Sequence, residues 1–196
     1  HKMGGDCLNT GCVPSKALIR SAKIKHYADT AAQYGVHVEN TSVDFRKVME
    51  RIQDVITKIE PHDSVERYTG LGVNCIQGSA RIIDPWRVVV DDKTITAKNI
   101  IIATGARPTM PEITGLKQEL AYNSATIWDL REKYSAMDVV GEGPIGCELA
   151  QSFHRLGVSV TLIGRNETVL PREDEDMAKL VQQNMLHEGM DLKILK

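Results

Sequence analysis

Long apolar runs are missing from this chain of 196 residues: an unbroken stretch such as Ile100-Ile101-Ile102-Ala103 falls far short of the roughly 20 residues that a membrane-spanning helix needs. No membrane segment is expected. Cysteine is sparse, four in all, and Cys75 and Cys147 stand alone in apolar surroundings, so there is no disulfide framework. Such sparseness fits a reducing compartment, and the opening His1-Lys2-Met3-Gly4-Gly5 lacks the apolar centre of a secretion signal, which makes the cytoplasm the expected location. An excess of either charge is also lacking. The 24 Lys and Arg against 26 Asp and Glu leave a net charge of −2, so neither nucleic acid nor an anionic membrane is implied as a partner. No His or Cys pair stands at zinc-finger spacing, and no metal ligands are assigned. Internal repeats and low-complexity tracts are absent as well. What remains, 42% hydrophobic and 26% charged, suits an ordinary soluble globular protein of one large or two small domains.

The most informative stretch is Gly4-Gly5-Asp6-Cys7-Leu8-Asn9-Thr10-Gly11-Cys12-Val13-Pro14-Ser15-Lys16, which puts two thiols five positions apart in a glycine-marked turn. It reads as a reversible dithiol. Pro14 suits the first helical position, and Ala17, Leu18, Ile19, Ala22, Ile24, Tyr27 and Ala28 continue a helix, so Cys12 is expected beside a helix N-terminus. The partial positive charge there favours a thiolate. Lys16 opposes the dipole preference of a first turn and therefore calls for another role, near a thiolate or a cofactor. A small structural disulfide or half a metal site are the competing readings; the isolation of the other two cysteines and the missing second ligand pair weigh against both.

Further along, Val43 to Tyr68 carries a second helical pattern, with Phe45, Val48, Met49, Ile52, Val55, Ile56 and Ile59 at three-to-four spacing and Pro61 dividing it. Gly70 and Gly72 announce strands at 73–76, 80–83, 87–90 and 94–97, separated by Gly78, Asp84-Pro85 and Asp91-Asp92 turns. A buried strand is expected at 99–103. Gly105, Pro108, Pro111 and Gly115 mark a boundary, beyond which the pattern alternates strand and helix to the last residue, Lys196.

The second region holds Gly141-Glu142-Gly143-Pro144-Ile145-Gly146, a GxGxxG turn between the apolar strand Met137–Val140 and a helix reaching Leu156. Gly157 caps that helix, and Val158 to Ile163 makes the next strand, which together fit a dinucleotide-binding βαβ unit. Gly141 permits the turn, Gly143 lets backbone approach a pyrophosphate, and Gly146 lets helix and strand pack closely; Pro144 and Ile145 complete the phosphate-facing turn. Glu142 is an unusual acid in such a turn and adds a little weight to the lesser alternative, a glycine turn that binds nothing. After the second strand an acid would meet the ribose of NAD and an arginine the 2′-phosphate of NADP. Arg165, with Arg172 close by, favours NADP; two solvated charges are the bland alternative.

GGDCLNTGCVPSKAL, residues 4–18, resembles the active-site segment of the flavin-dependent pyridine nucleotide-disulfide oxidoreductases, a family that includes dihydrolipoamide dehydrogenase, mercuric reductase and glutathione reductase. Asp6 stands where the family commonly has Thr. Ile102-Ala103-Thr104-Gly105-Ala106-Arg107-Pro108 resembles the family's second flavin-contact motif, and the run around Arg165 resembles mercuric and glutathione reductases more than lipoamide dehydrogenases. The resemblance implies an α/β fold. It comprises a partial FAD-binding domain of helices plus a β-meander, residues 1–117 without its first βα unit, followed by a partial Rossmann-type NAD(P)-binding βαβαβ domain, residues 118–196.

The resemblance further implies FAD and NADP as cofactors, NAD being the weaker choice. Gly5, Asp6, Lys16, Ala103, Thr104, Gly105 and Glu148 would contact the flavin, and Gly141, Gly143, Pro144, Ile145, Gly146, Arg165 and Arg172 the dinucleotide. Hydride would pass from NADPH through flavin to a Cys7–Cys12 disulfide, with Cys12 on the flavin side and Cys7 as the interchange thiol. Glu148, at the edge of its helix's apolar face, wants a cation, and in the family its counterpart pairs with the lysine here numbered Lys16. The substrate would be a disulfide, a lipoyl group or a metal ion such as mercuric ion. Family members also have an upstream ADP-binding turn and a downstream dimerisation domain, so a piece of a longer, homodimeric protein is expected. A catalytically silent, nucleotide-binding module and a flavin-free cysteine redox sensor are the alternatives.

Overall fold

Two glycines shape the first turn of the chain. In the computed structural model, which describes residues 2–194, Gly4 at φ 80° opens a short helix, α1 (Gly5–Asn9), and Gly11 precedes a long one, α2 (Cys12–Thr30). Cys7 thus lies in a helical turn rather than in an open loop. Helix α2 begins two residues earlier than Pro14, and Pro14 occupies its third position, where a missing N–H leaves no bond unmade because the first four amides of a helix have no partner within it. Gly35, at φ 77°, closes the 3₁₀ turn Ala31–Tyr34 that ends this segment.

The second helical pattern divides at Pro61 as its sequence indicates. Helix α3 (Phe45–Ile59) is capped by Asp44, whose carboxylate accepts from the Lys47 N–H at 3.1 Å, and a 3₁₀ turn (Glu60–Asp63) carrying Pro61 leads to α4 (Val65–Gly70). Ser64 caps α4 through the Arg67 N–H at 3.2 Å. The apolar face of α3, with Phe45, Met49 and Ile52 buried, packs on Ala17, Leu18 and Ala22 of α2.

A three-stranded antiparallel meander follows: β1 (Ala80–Asp84), β2 (Arg87–Val90) and β3 (Lys93–Thr96), in register Ala80 with Val90 and Val88 with Ile95. These three strands match the sequence pattern, but the strands expected at 73–76 and 99–103 are absent. Apolar content alone does not make a strand, which needs a neighbour to pair with its N–H and C=O groups. Neither segment has such a neighbour among the described residues, and Ile101 and Ile102 are 89% and 70% exposed instead of buried.

Strand and helix alternate in the remainder: β4 (Ala136–Val140), α5 (Pro144–Arg155), β5 (Ser159–Ile163), α6 (Glu175–His187) and β6 (Asp191–Lys193). The strands form a parallel sheet in the order β4-β5-β6, with Ala136 opposite Ser159 and Thr161 opposite Asp191. Gly157, at φ 87°, closes α5 with its N–H on the His154 carbonyl, while the Val158 N–H reaches Phe153 O at 3.1 Å, the paired bonds of a glycine C-cap. The sequence pattern carries the last strand to Lys196; β6 is seen to Lys193, and Leu195 and Lys196 lie outside the described residues.

One core joins the helical start to the nucleotide-type unit. Helix α2 packs on α3 and on α5, and the rings of Phe45 and Phe153 lie 6.2 Å apart. Trp128 fastens the connection, its indole N–H pointing to the carbonyls of Thr10 at 2.9 Å and Ser124 at 2.7 Å. Among the described residues no helix is long and apolar enough to cross a membrane.

Candidate functional site

The dithiol turn is drawn tight by its own backbone. The Asp6 carbonyl accepts from the N–H groups of Thr10, at 2.9 Å, and Gly11, at 2.6 Å, and a Cβ on Gly11 would come within 3.0 Å of that oxygen. The Asn9 amide adds bonds to the carbonyls of Met3 and Gly5 at 3.0 and 2.8 Å. Gly5 itself has φ 57°, a conformation that side chains disfavour. The result brings Cys7 and Cys12 together as free, exposed thiols within hydrogen-bonding reach. Cys12 is the first residue of α2, where unpaired amides favour a negative sulfur. The hydrogen bond that the Cys7 thiol gives to Cys12, with a little burial, pushes the Cys7 thiol up.

One turn further along α2, the Lys16 ammonium lies 3.0 and 2.9 Å from the two carboxylate oxygens of Glu148 on α5. The expected pair therefore forms across 132 positions of sequence. Its side chains are 61% and 42% exposed, and a solvated ion pair contributes only ~0–1 kcal/mol, so stability does not explain it. Beside it a cleft of about 450 Å³ opens at Cys12, with Lys16 and Arg20 on one wall and Arg51, Val55 and Ile59 of α3 on the other. The Arg51 guanidinium is fixed to the Ala17 carbonyl at 3.0 Å.

Ala103, Thr104 and Gly105 are not brought to this cluster. All three are exposed, and among the described residues none hydrogen-bonds to the dithiol turn or to Lys16. Asp6 contributes through its carbonyl to the turn.

The glycine turn has the tightness its spacing requires. The Gly141 N–H meets the Ile163 carbonyl at 2.8 Å, and a Cβ on Gly146 would stand 1.8 Å from the Gly141 oxygen. A Cβ on Gly143, by contrast, would meet nothing within 4 Å. Gly143 caps α5, Pro144 is its first residue, and Ile145 is 63% exposed, leaving an open, amide-lined end of the kind that receives phosphate. The residues fit a dinucleotide. Arg165 and Arg172 are exposed in the segment after β5, and neither belongs to an ion pair among the described residues.

Two residues carry more than their sequence context suggests. Glu142 is only 7% exposed. Its carboxylate accepts from the Asn166 side chain, and its carbonyl accepts from the Leu170 N–H at 2.8 Å and the Cys147 thiol at 3.3 Å. Burial opposes its ionisation, but the Asn166 amide and the backbone N–H groups of Glu142, Arg165 and Asn166 outweigh it and hold the carboxyl below its ordinary range. The signal was an acid where such turns take small residues. Cys147 is the reverse case: burial pushes its thiol up to about 11, which removes it from nucleophilic chemistry at neutral pH. No group of three or more His, Cys, Asp or Glu among the described residues could hold a metal ion.

Comparison with known proteins matches residues 2–196 to the family model described as pyridine nucleotide-disulphide oxidoreductase. A mercuric reductase of Bacillus cereus is 34% identical over 190 residues, covering 97% of this chain and 30% of that protein. A dihydrolipoyl dehydrogenase of Bacillus subtilis is 32% identical over 203 residues, covering 97% of this chain and 43% of the relative. Among solved structures, the HOCl-induced flavoprotein disulfide reductase RclA from Escherichia coli, in its Cu(II) complex, superposes with a TM-score of 0.77 at 26% identity, covering 98% of this chain and 41% of its own. The chain thus spans 30% to 43% of the length of these relatives. With the dithiol at a helix start, the lysine–glutamate pair and the glycine turn in one core, the chain belongs to the pyridine nucleotide-disulphide oxidoreductase family.

Proposed function

We propose that this chain carries the electron-relay part of an FAD-dependent oxidoreductase that takes electrons from a nicotinamide nucleotide and delivers them through Cys7 and Cys12 to a disulfide, lipoyl or metal-ion substrate. The observation that carries the reading is the pairing of Cys7 with Cys12, which shares a cleft with Lys16, itself bonded to Glu148 of the nucleotide-type unit. The nicotinamide nucleotide and flavin, when bound, would together supply an electron pair to the sulfurs. Cleavage of the Cys7–Cys12 bond by that pair leaves two sulfurs and room for two protons. The amides at the start of α2 would favour negative charge on the Cys12 sulfur, and the hydrogen bond that Cys7 gives to Cys12 would leave the first proton on Cys7. Lys16 would offset negative charge beside Cys12, and Glu148 fixes its ammonium. With a disulfide substrate, Cys7 would give its proton to the departing substrate thiolate as it forms a mixed disulfide. Cys12 would then attack the Cys7 sulfur, releasing the second substrate sulfur as a thiolate and restoring the Cys7–Cys12 bond.

Gly141, Gly143, Pro144, Ile145 and Gly146 would hold the dinucleotide, and Arg165 with Arg172 supports NADPH. Residues 1–117 would serve the flavin, with Ala103, Thr104 and Gly105 closing over it, and residues 118–196 the nucleotide. The whole protein would act as a homodimer in the cytoplasm.

The test counts thiols. The oxidised chain, supplied with FAD and NADPH, should release two new thiols toward an aromatic disulfide reagent, and Cys7→Ser or Cys12→Ser should release none. An unchanged thiol count in the parent sequence would favour a second reading, a nucleotide-binding module without flavin turnover, which the exposure of Ala103, Thr104 and Gly105 supports.

A further inference from the structure

An anion-binding turn is a poor place for a carboxylate, because the same amides that attract phosphate are screened by it. Glu142 is nonetheless buried there, and where its carboxylate ends explains why. In dinucleotide folds an acid stands at the end of the second strand, roughly 20 residues beyond the turn, and accepts from the adenosine ribose hydroxyls. In this chain that strand, β5, ends at Ile163, and the next residue is Gly164, with no side chain to offer. A Cβ built on Gly164 would lie 2.8 Å from both the carboxyl carbon and Oε2 of Glu142. The space that a side chain at position 164 would fill is therefore filled by the carboxylate of residue 142.

The surroundings keep that carboxylate in place at the strand's end. The Asn166 amide donates to it, and the Leu170 N–H holds its residue's backbone from the far side of the loop. The loop that carries Arg165 is thereby tied to the glycine turn. We infer that Glu142 supplies, from the glycine turn, the ribose-reading carboxylate that β5 lacks, and so makes the site discriminate against a 2′-phosphate. The inference rests on the dinucleotide reading of the turn. Arg165 pulls the other way, and the preference for NADH or NADPH is the balance of the two residues.

Binding of ADP-ribose and of its 2′-phosphate to the full chain, measured by calorimetry, tests it without any flavin or turnover. Glu142→Gln should weaken ADP-ribose by roughly tenfold, the loss of a hydrogen bond to a charged group, while the 2′-phosphate form keeps or gains affinity. Moving the acid back to the strand, in Glu142→Ala combined with Gly164→Asp, should restore the parent ratio, since removal of the Glu142 side chain frees the space over residue 164. A ratio that stays at the parent value in Glu142→Gln, or both ligands weakening equally in both variants, would make Glu142 only a staple of the loop and overturn the inference. If the parent chain binds neither ligand, the dinucleotide reading itself falls, and this inference with it.

Discussion

Three residues illustrate how a single position acts through its neighbours. Cys7 is pushed up chiefly by the hydrogen bond it gives to Cys12. Alkylation of Cys7 should therefore quicken as pH rises toward and past the ordinary thiol value of 9.0, and Cys12→Ser should shift that profile to lower pH. A profile that is the same in both proteins would show that the sulfurs do not interact. Lys16 presents the opposite balance: Lys16→Met should move the melting temperature little, since the pair it breaks is solvated, yet should slow reduction of the disulfide. A large fall in melting temperature would make the pair structural. Gly146 has no latitude, with the Gly141 oxygen 1.8 Å from any added Cβ. Gly146→Ala should cost about 1–3 kcal/mol through forced displacement of the turn, seen in denaturant unfolding, and should abolish nucleotide binding.

Within elements, helix α5 is bounded by glycines and tied at its C-terminal end to the turn after α6. Arg155 binds Glu188 through two bonds of 2.7 and 2.6 Å, with side chains only 19% and 14% exposed. Burial works against charge on Glu188, but Arg155 overcomes it and lowers the carboxyl below its ordinary value of 4.5. A carboxyl lowered in the folded state contributes stability that is complete above the unfolded value and is lost as pH falls through the folded one. Unfolding free energy should thus decline below about pH 4.5, and Glu188→Gln should flatten that decline; an equally steep acid limb in the variant would assign it to other groups. These element boundaries were legible in the sequence to different degrees. Pro61 and Gly157 announce helix ends through chemistry that is entirely local. The segment 99–103 misleads because its apolar run reports burial and pairing, which depend on a neighbouring strand that the local sequence does not contain. Position 142 misleads in the same way, since only the fold brings its carboxylate to the end of a strand 22 positions away.

Across the whole molecule, the dithiol, the lysine–glutamate pair and the glycine turn were all readable as motifs, and the sequence indicated that Lys16 and Glu148 meet. What it did not disclose was the core they share. Helix α2 is sandwiched between α3 and α5, with Phe153 at 1% exposure in contact with Phe45. Phe153→Ala should cost about 3–5 kcal/mol and should loosen the Cys12 end of α2 together with the glycine turn, which hydrogen exchange would show as a joint loss of protection. Loss confined to α5 would mean that the two halves are held independently.

The reach of the Lys16–Glu148 contact fixes when it can form. Closing a loop of that length costs about 4 kcal/mol of chain entropy, several times what a solvated ion pair returns. The contact is thus a consequence of chain collapse and never its trigger. In refolding from urea the ammonium and carboxylate should be the last partners to find each other, after the aromatic rings behind them have locked, so that the chain acquires its chemistry only once its architecture is complete.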